Sequence, residues 1–147
     1  MILITDSNII ISALISPNGK VSKVLKAKSK IQYLAPNFVL FEIKKRYPKI
    51  TKKTGLTTKE INAKLDILKE KIVFIDVDLI PKKFINEGKK IVEGVDEDDF
   101  VFVAMNRYLK HKLWTGDIEL IKGLEQKGYK ICVRTDDLID KLYKKRL

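Results

Sequence analysis

Apolar residues follow two patterns along the chain. Short continuous runs are typical of buried strands, and helical spacing is typical of amphipathic helices. Runs of apolar, often β-branched residues with the length of buried strands lie at residues 2–5, 31–35, 72–75, 112–115 and 129–133. Helical spacing of apolar residues is found between them, at residues 8–16, 20–28, 37–49, 58–70, 80–92, 100–109, 118–126 and from 135 onward. The pattern predicts strands that alternate with helices.

Turn and cap residues mark several helix ends. The segment 16–19 reads Ser-Pro-Asn-Gly and predicts a turn. Thr57 and Glu60 have the spacing of a capping box, and Gly128 closes the helix before the last strand. Thr135 is predicted to cap the final helix, which ends in a basic segment up to residue 146.

Alternating strands and helices predict βαβ units in an α/β fold, with a parallel sheet covered by helices on both faces. At 147 residues, the chain is expected to form one domain over residues 1–147. Right-handed crossovers make each helix run antiparallel to the strand before it. Strand ends and the starts of the following helices therefore lie at the same edge of the sheet, its carboxyl edge.

Acidic residues from distant parts of the sequence are predicted to meet at this carboxyl edge. Asp6 ends the first strand, and Glu42 lies early in the helix after the second. Asp98 and Asp99 begin the helix before the fourth strand, and Asp117 follows that strand. Each position has an ordinary explanation, such as a turn, a cap or a favourable place at a helix N-terminus. Their common edge makes a functional cluster the better interpretation.

The amino-acid composition limits the classes of protein to which the chain can belong. The chain has 30 Lys and Arg against 19 Asp and Glu, a net charge of +11, which favours polyanionic partners such as nucleic acid. Its 45% hydrophobic residues argue against a disordered chain. No apolar run approaches the roughly 20 residues that span a bilayer, and no basic leader precedes the first strand. We therefore expect a cytoplasmic protein with no membrane partner, in which the lone Cys132 is a core residue.

A cluster of carboxylates in one crevice cannot be fully ionised without a cation between them. Hard oxygen ligands suit Mg²⁺ or Mn²⁺. An acidic metal site within a basic surface is the arrangement expected for phosphodiester hydrolysis. Lys44, Lys45 and Arg46 are candidates for binding the backbone of a nucleic acid such as RNA.

Other chemistries have weaker support. His111 precedes the fourth strand and is expected at the opposite edge of the sheet, which argues against catalysis by a histidine. No glycine-rich phosphate loop is present. A haloacid dehalogenase-type phosphatase would need Asp at position 8 and Thr at position 10, where the chain has Asn8 and Ile10. A receiver domain would need its phosphoacceptor after the third strand, where only Asp76 and Asp78 are found. A non-catalytic RNA-binding module, using the lysines of residues 44–53 and of the C-terminus, remains an alternative.

Four segments in order resemble the PIN domain family of metal-dependent ribonucleases. They are the opening strand with Asp6-Ser7-Asn8, residues 36–42, residues 96–104 and residues 113–117. The resemblance covers essentially the whole chain. It implies a three-layer α/β/α sandwich with a five-stranded parallel sheet in the order 3-2-1-4-5.

The resemblance also implies that Asp6, Glu42, Asp99 and Asp117 form a catalytic metal site. Asn8, Thr115 and Glu119 would assist. Asp99 is favoured over Asp98 because Ala104 and Asn106 then fall where the family places small residues, although Asn106 stands where Ala is usual. Many family members are homodimeric toxins of toxin–antitoxin pairs, such as the VapC type, and others are solitary nucleases or inactive RNA-processing modules. An endoribonuclease, with or without an antitoxin partner, is therefore expected.

Overall fold

The computed structural model describes residues 1–143 and contains one five-stranded parallel sheet in the order β3-β2-β1-β4-β5. The strands are β1 (Ile2–Thr5), β2 (Gln32–Pro36), β3 (Ile72–Ile75), β4 (Lys112–Trp114) and β5 (Cys132–Val133). The order changes direction at β1, which lies between β2 and β4. Ligand sites of open parallel sheets lie beyond the carboxyl ends of strands at such a switch point. The predicted parallel sheet and its strand order are confirmed.

Helices surround this sheet. They are α1 (Ser7–Ile15), α2 (Lys20–Lys26), α3 (Val39–Lys45), α4 (Tyr47–Thr54), α5 (Thr58–Lys69), α6 (Lys82–Ile91), α7 (Phe100–Leu109), α8 (Ile118–Gln126) and α9 (Thr135–Tyr143). Short 3₁₀ turns cover Val77–Leu79 and Glu97–Asp99. Within residues 1–143, every helix is too short or too polar to cross a membrane. The basic end predicted for the last helix, residues 144–146, lies outside the described residues.

The single helix predicted over residues 37–49 is wrong, because the chain forms two helices that meet at Arg46. Pro48 lies in the first turn of α4, where its missing N–H costs no helical hydrogen bond. Continued α3 would have needed that N–H. The break lets Tyr47 and Ile50 turn inward, and both are buried.

The capping box at Thr57 is confirmed, since Thr57 and Glu60 each accept the other's backbone N–H. The cap predicted at Thr135 is wrong. Thr135 is the first residue of α9, and its hydroxyl accepts a hydrogen bond of 3.0 Å from the indole N–H of Trp114. Trp114 is fully buried, and this bond satisfies its only polar group.

Two tight contacts fix α7, which follows the acidic segment. A Cβ atom at Gly88 of α6 would lie 2.5 Å from the carbonyl oxygen of Phe100, so only glycine allows α6 and α7 to pack this closely. On the other side, the Phe102 ring meets Phe38 edge-on, with ring centroids 5.8 Å apart. This second contact joins the starts of α3 and α7 at the carboxyl edge.

Candidate metal centre

Both carboxylate oxygens of Asp6 accept hydrogen bonds. Oδ1 accepts the backbone N–H of Ile9 at 3.0 Å and so caps α1, while Oδ2 accepts the hydroxyl of Thr115 at 2.7 Å. Burial raises the pKa of Asp6, and the charges of Asp117 and Glu42 raise it further against the lowering effect of the two hydrogen bonds. The end of the first strand thus places an oriented carboxylate, that of Asp6, close to the carboxylates of Asp117 and Glu42.

Thr115 connects Asp6 with Asp117. It is only 2% exposed, and its hydroxyl accepts the backbone N–H of Asp117 at 3.1 Å while donating to Asp6. Asp117 in turn caps α8, where its Oδ1 accepts the N–H of Leu120 at 3.1 Å. One buried hydroxyl therefore bonds both the carboxylate of Asp6, after β1, and the backbone of Asp117, after β4.

Asp96 and Asp99 complete a compact cluster with Asp117. One carboxylate oxygen of each lies within 4.8 Å of those of the other two. Asp99 stands at the start of α7 but makes no side-chain capping bond there, so its carboxylate is available to the cluster. Burial and the charges of Asp96 and Asp6 raise the pKa of Asp99 to about 8. The pKa of Asp96 is also raised, chiefly through its hydrogen bond with Asp117.

Glu42 reaches the same region from the first turn of α3, and its charge acts on Asp6. Its Oε1 is buried and has no hydrogen-bond partner among the described residues. A buried carboxylate oxygen without a donor is costly unless a proton or a cation compensates it.

The structure brings together four predicted site acids: Asp6, Glu42, Asp99 and Asp117. The predicted supporting residues Asn8, Asp98 and Glu119 are exposed, as are Lys44, Lys45 and Arg46 at the end of α3. Their proposed roles remain predictions.

Asp96 was missed by the sequence-based reasoning, which chose only between Asp98 and Asp99. The 3₁₀ turn covers Glu97–Asp99, and Asp96 directly precedes it in an extended conformation, with its carbonyl oxygen accepting the backbone N–H of Asp99 at 3.1 Å. Asp96 and Asp99 both belong to the cluster, whereas Asp98 between them is exposed. Residues 96–99 are four acids in a row, and no spacing in the sequence singles out Asp96 among them.

This donor set fits a divalent cation. The candidate ligands Asp6, Glu42, Asp96, Asp99 and Asp117 offer only carboxylate oxygens, which suit hard ions such as Mg²⁺ or Mn²⁺. The raised pKa values and the unpartnered oxygen of Glu42 show that the metal-free cluster lacks positive charge.

His111 and Cys132 lie outside the cluster. His111 directly precedes β4, at the opposite edge of the sheet, and its backbone carbonyl accepts a hydrogen bond from the Asn106 amide at 2.8 Å. Cys132 is unpaired and half-buried in β5, and burial raises its pKa to about 12. A thiol held protonated in this way is a poor nucleophile or ligand.

Comparisons with known proteins agree with this fold. A family described as PIN domain matches residues 4–137. A chain in the crystal structure of VapBC2 from Rickettsia felis, bound to a DNA fragment from their promoter, is similar with a TM-score of 0.67 and 18% sequence identity. The match covers 91% of this chain and 98% of that one. No curated protein sequence matches the chain.

Proposed function

Because the chain belongs to the PIN domain family, we propose that it is a metal-dependent endoribonuclease that hydrolyses phosphodiester bonds in RNA. The observation that carries this proposal is the cluster of carboxylates at the carboxyl edge of β1 and β4. Its carboxylates repel one another when no metal is bound, and a divalent cation would offset this repulsion.

Asp6, Asp99 and Asp117 would hold the Mg²⁺ or Mn²⁺ ion, with Glu42 and Asp96 completing its surroundings. When bound, the ion would activate a water molecule and offset the negative charge on the scissile phosphate. Thr115 orients Asp6 through its hydroxyl, so this carboxylate needs no rearrangement to bind. Asp99 would give up its proton when a cation binds, because the positive charge of the cation offsets the negative charges of the neighbouring carboxylates.

The basic surface would bring RNA to this site. The net charge of +11 favours any polyanion, and residues 44–46 lie at the end of the helix that carries Glu42. Contacts with backbone phosphates position a strand without reading its sequence. We therefore expect this basic segment to strengthen RNA binding for all sequences alike.

The similarity to a chain of the VapBC2 complex supports a further part of the proposal, namely that the nuclease acts as a toxin. It would form a homodimer and be held inactive by an antitoxin protein. Co-expression with the product of the adjacent gene tests this part. Growth arrest by the chain alone and rescue by that product are expected, whereas harmless expression would contradict a toxin role.

A cleavage assay tests the proposed function. The purified protein should cut single-stranded RNA with Mn²⁺ but not with EDTA, and Asp6→Asn should abolish cutting. Glu97→Gln is the matched control, since Glu97 is exposed beside the cluster and loses the same charge. If the wild type binds RNA without cutting it and Asp6→Asn changes nothing, the chain is a non-catalytic RNA-binding module instead.

A further inference from the structure

We propose that Phe41 and Lys45 form a nucleobase-binding platform beside the acidic cluster, with the Phe41 ring stacking on a base next to the scissile phosphate. This inference rests on the proposed RNA substrate. It assigns a role to an aromatic side chain that neither the fold nor the metal centre uses.

Phe41 is placed where it cannot join the core. Val39 and Ile43 are buried on the inner face of α3, and successive helical residues are separated by about 100°. Phe41, midway between them in sequence, therefore faces outward and is 63% exposed. The preceding aromatic residue, Phe38, has the structural role by packing against Phe102.

Phe41 is the direct neighbour in sequence of a residue of the metal centre. Phe41 directly precedes Glu42, so the Cα atoms of the two residues lie about 3.8 Å apart. A carboxylate oxygen of Glu42 is buried and the charge of Glu42 acts on Asp6, while the Phe41 ring stays at the surface. A strand whose phosphate lies at the cluster would pass close to the ring.

Lys45 adds the positive charge that a nucleotide needs. It lies one helical turn after Phe41, and its Nζ is 4.5 Å from the centre of the Phe41 ring. The ring and the ammonium group together offer a stacking surface for a base and a contact for a backbone phosphate. Aromatic side chains combined with basic groups are a common means of binding single-stranded nucleic acid.

The platform would favour unpaired RNA. A base can stack on a protein ring only when it leaves its own helix, and every base has a face that can stack. Single-stranded regions with any base at the flanking position are thus the substrate class that this surface fits. An abasic position there should be a poor substrate.

Substitutions at Phe41 test the proposal on a short single-stranded RNA with one mapped cleavage site. Phe41→Ala and Phe41→Leu should raise KM about tenfold with little change in kcat, because stacking contributes mainly to binding. Phe41→Tyr should preserve the wild-type KM. Ile67→Ala is the matched control, since Ile67 is 60% exposed on α5, near the opposite edge of the sheet.

Abasic substitutions in the RNA locate the stacked base. Removing one flanking base should raise the wild-type KM by the same factor as Phe41→Ala, and the two changes together should add nothing further. Equal KM values for wild type, Phe41→Ala and Phe41→Leu would overturn the platform. Full rescue by Phe41→Leu would also overturn it, since leucine is apolar but cannot stack.

A binding measurement separates this inference from the proposed nuclease activity. In Phe41→Trp, the new indole fluorescence should be quenched by RNA in EDTA, and less so by the abasic strand. Trp114 is fully buried and gives a constant background. Quenching without any RNA cleavage would support the nucleobase-binding platform and contradict the proposed nuclease activity. Cleavage without quenching, or loss of self-association instead of RNA binding in Phe41→Ala, would contradict the platform.

Discussion

Asp99→Asn should stabilise the metal-free protein, and the gain should grow with pH. The pKa of Asp99 is about 8 in the folded chain against an ordinary 3.8. Between these values the unfolded chain has lost the Asp99 proton that the folded chain keeps. Folding therefore takes up a proton, and the free energy of unfolding falls as the pH rises. Asparagine cannot ionise and removes this dependence.

The size of the effect follows from the pKa difference. A difference of about four, at about 1.4 kcal/mol for each pKa unit, would give about 6 kcal/mol for a carboxyl sealed from water. Asp99 is only partly buried, so solvent screening reduces the gain to about 2 kcal/mol. In a chain of this length that corresponds to a rise in Tm of about 6 °C.

Thermal unfolding in EDTA at about pH 3.5 and about pH 8.5, which lie below the unfolded pKa of 3.8 and above the folded pKa of about 8, measures this gain. Asp99→Asn and wild type should have similar Tm values at the lower pH and differ by about 6 °C at the higher one. Adding Mn²⁺ at the higher pH should then stabilise the wild type but not Asp99→Asn. Asp98→Asn is the control, because Asp98 is exposed. A pH-independent gain, or the same gain in Asp98→Asn, would refute the reasoning.

Three further predictions concern single parts of the molecule. Thr115→Val removes the hydroxyl that donates to Asp6. Calorimetry should then show that Mn²⁺ binds about tenfold or more weakly, although the fold is retained. An unchanged Mn²⁺ affinity would contradict the orienting role of Thr115. Replacing residues 44–46 with Ala should lower RNA affinity equally for different sequences and flatten its salt dependence in filter-binding assays; loss for one sequence alone would contradict backbone binding. Gly88→Ala should destabilise the protein by about 2 kcal/mol in urea unfolding, because the added methyl meets the Phe100 carbonyl; an unchanged midpoint would show that α6 can shift.

The parallel sheet and the meeting of acids at one edge could be predicted because both depend on chain order. Strands alternate with helices, and right-handed crossovers then place Asp6, Glu42, Asp99 and Asp117 at the carboxyl edge whatever the details of packing. The strand order 3-2-1-4-5 needed more than this rule. It came from the resemblance, and the structure confirms it.

The features that could not be predicted depend on local geometry or on tertiary packing. Asp96 joins the cluster only because residues Glu97–Asp99 form a 3₁₀ turn, whereas the apolar pattern after them suggests an ordinary helix start. The unpartnered Oε1 of Glu42 results from burial by surrounding elements, which no spacing in the sequence reveals. The exposure of Phe41 could not be predicted either, because an apolar residue in a helix is usually assigned to the core.

The most direct test of the central claim is the cleavage of single-stranded RNA with Mn²⁺ by wild type, Asp99→Asn and Glu97→Gln, followed by analysis of the product ends. Wild type and Glu97→Gln should cut equally, and Asp99→Asn should not cut. Because water is the proposed nucleophile, the products should carry ordinary phosphate monoester and hydroxyl ends. Cleavage by Asp99→Asn at the wild-type rate, or products with 2′,3′-cyclic phosphates, would contradict hydrolysis at this acidic cluster.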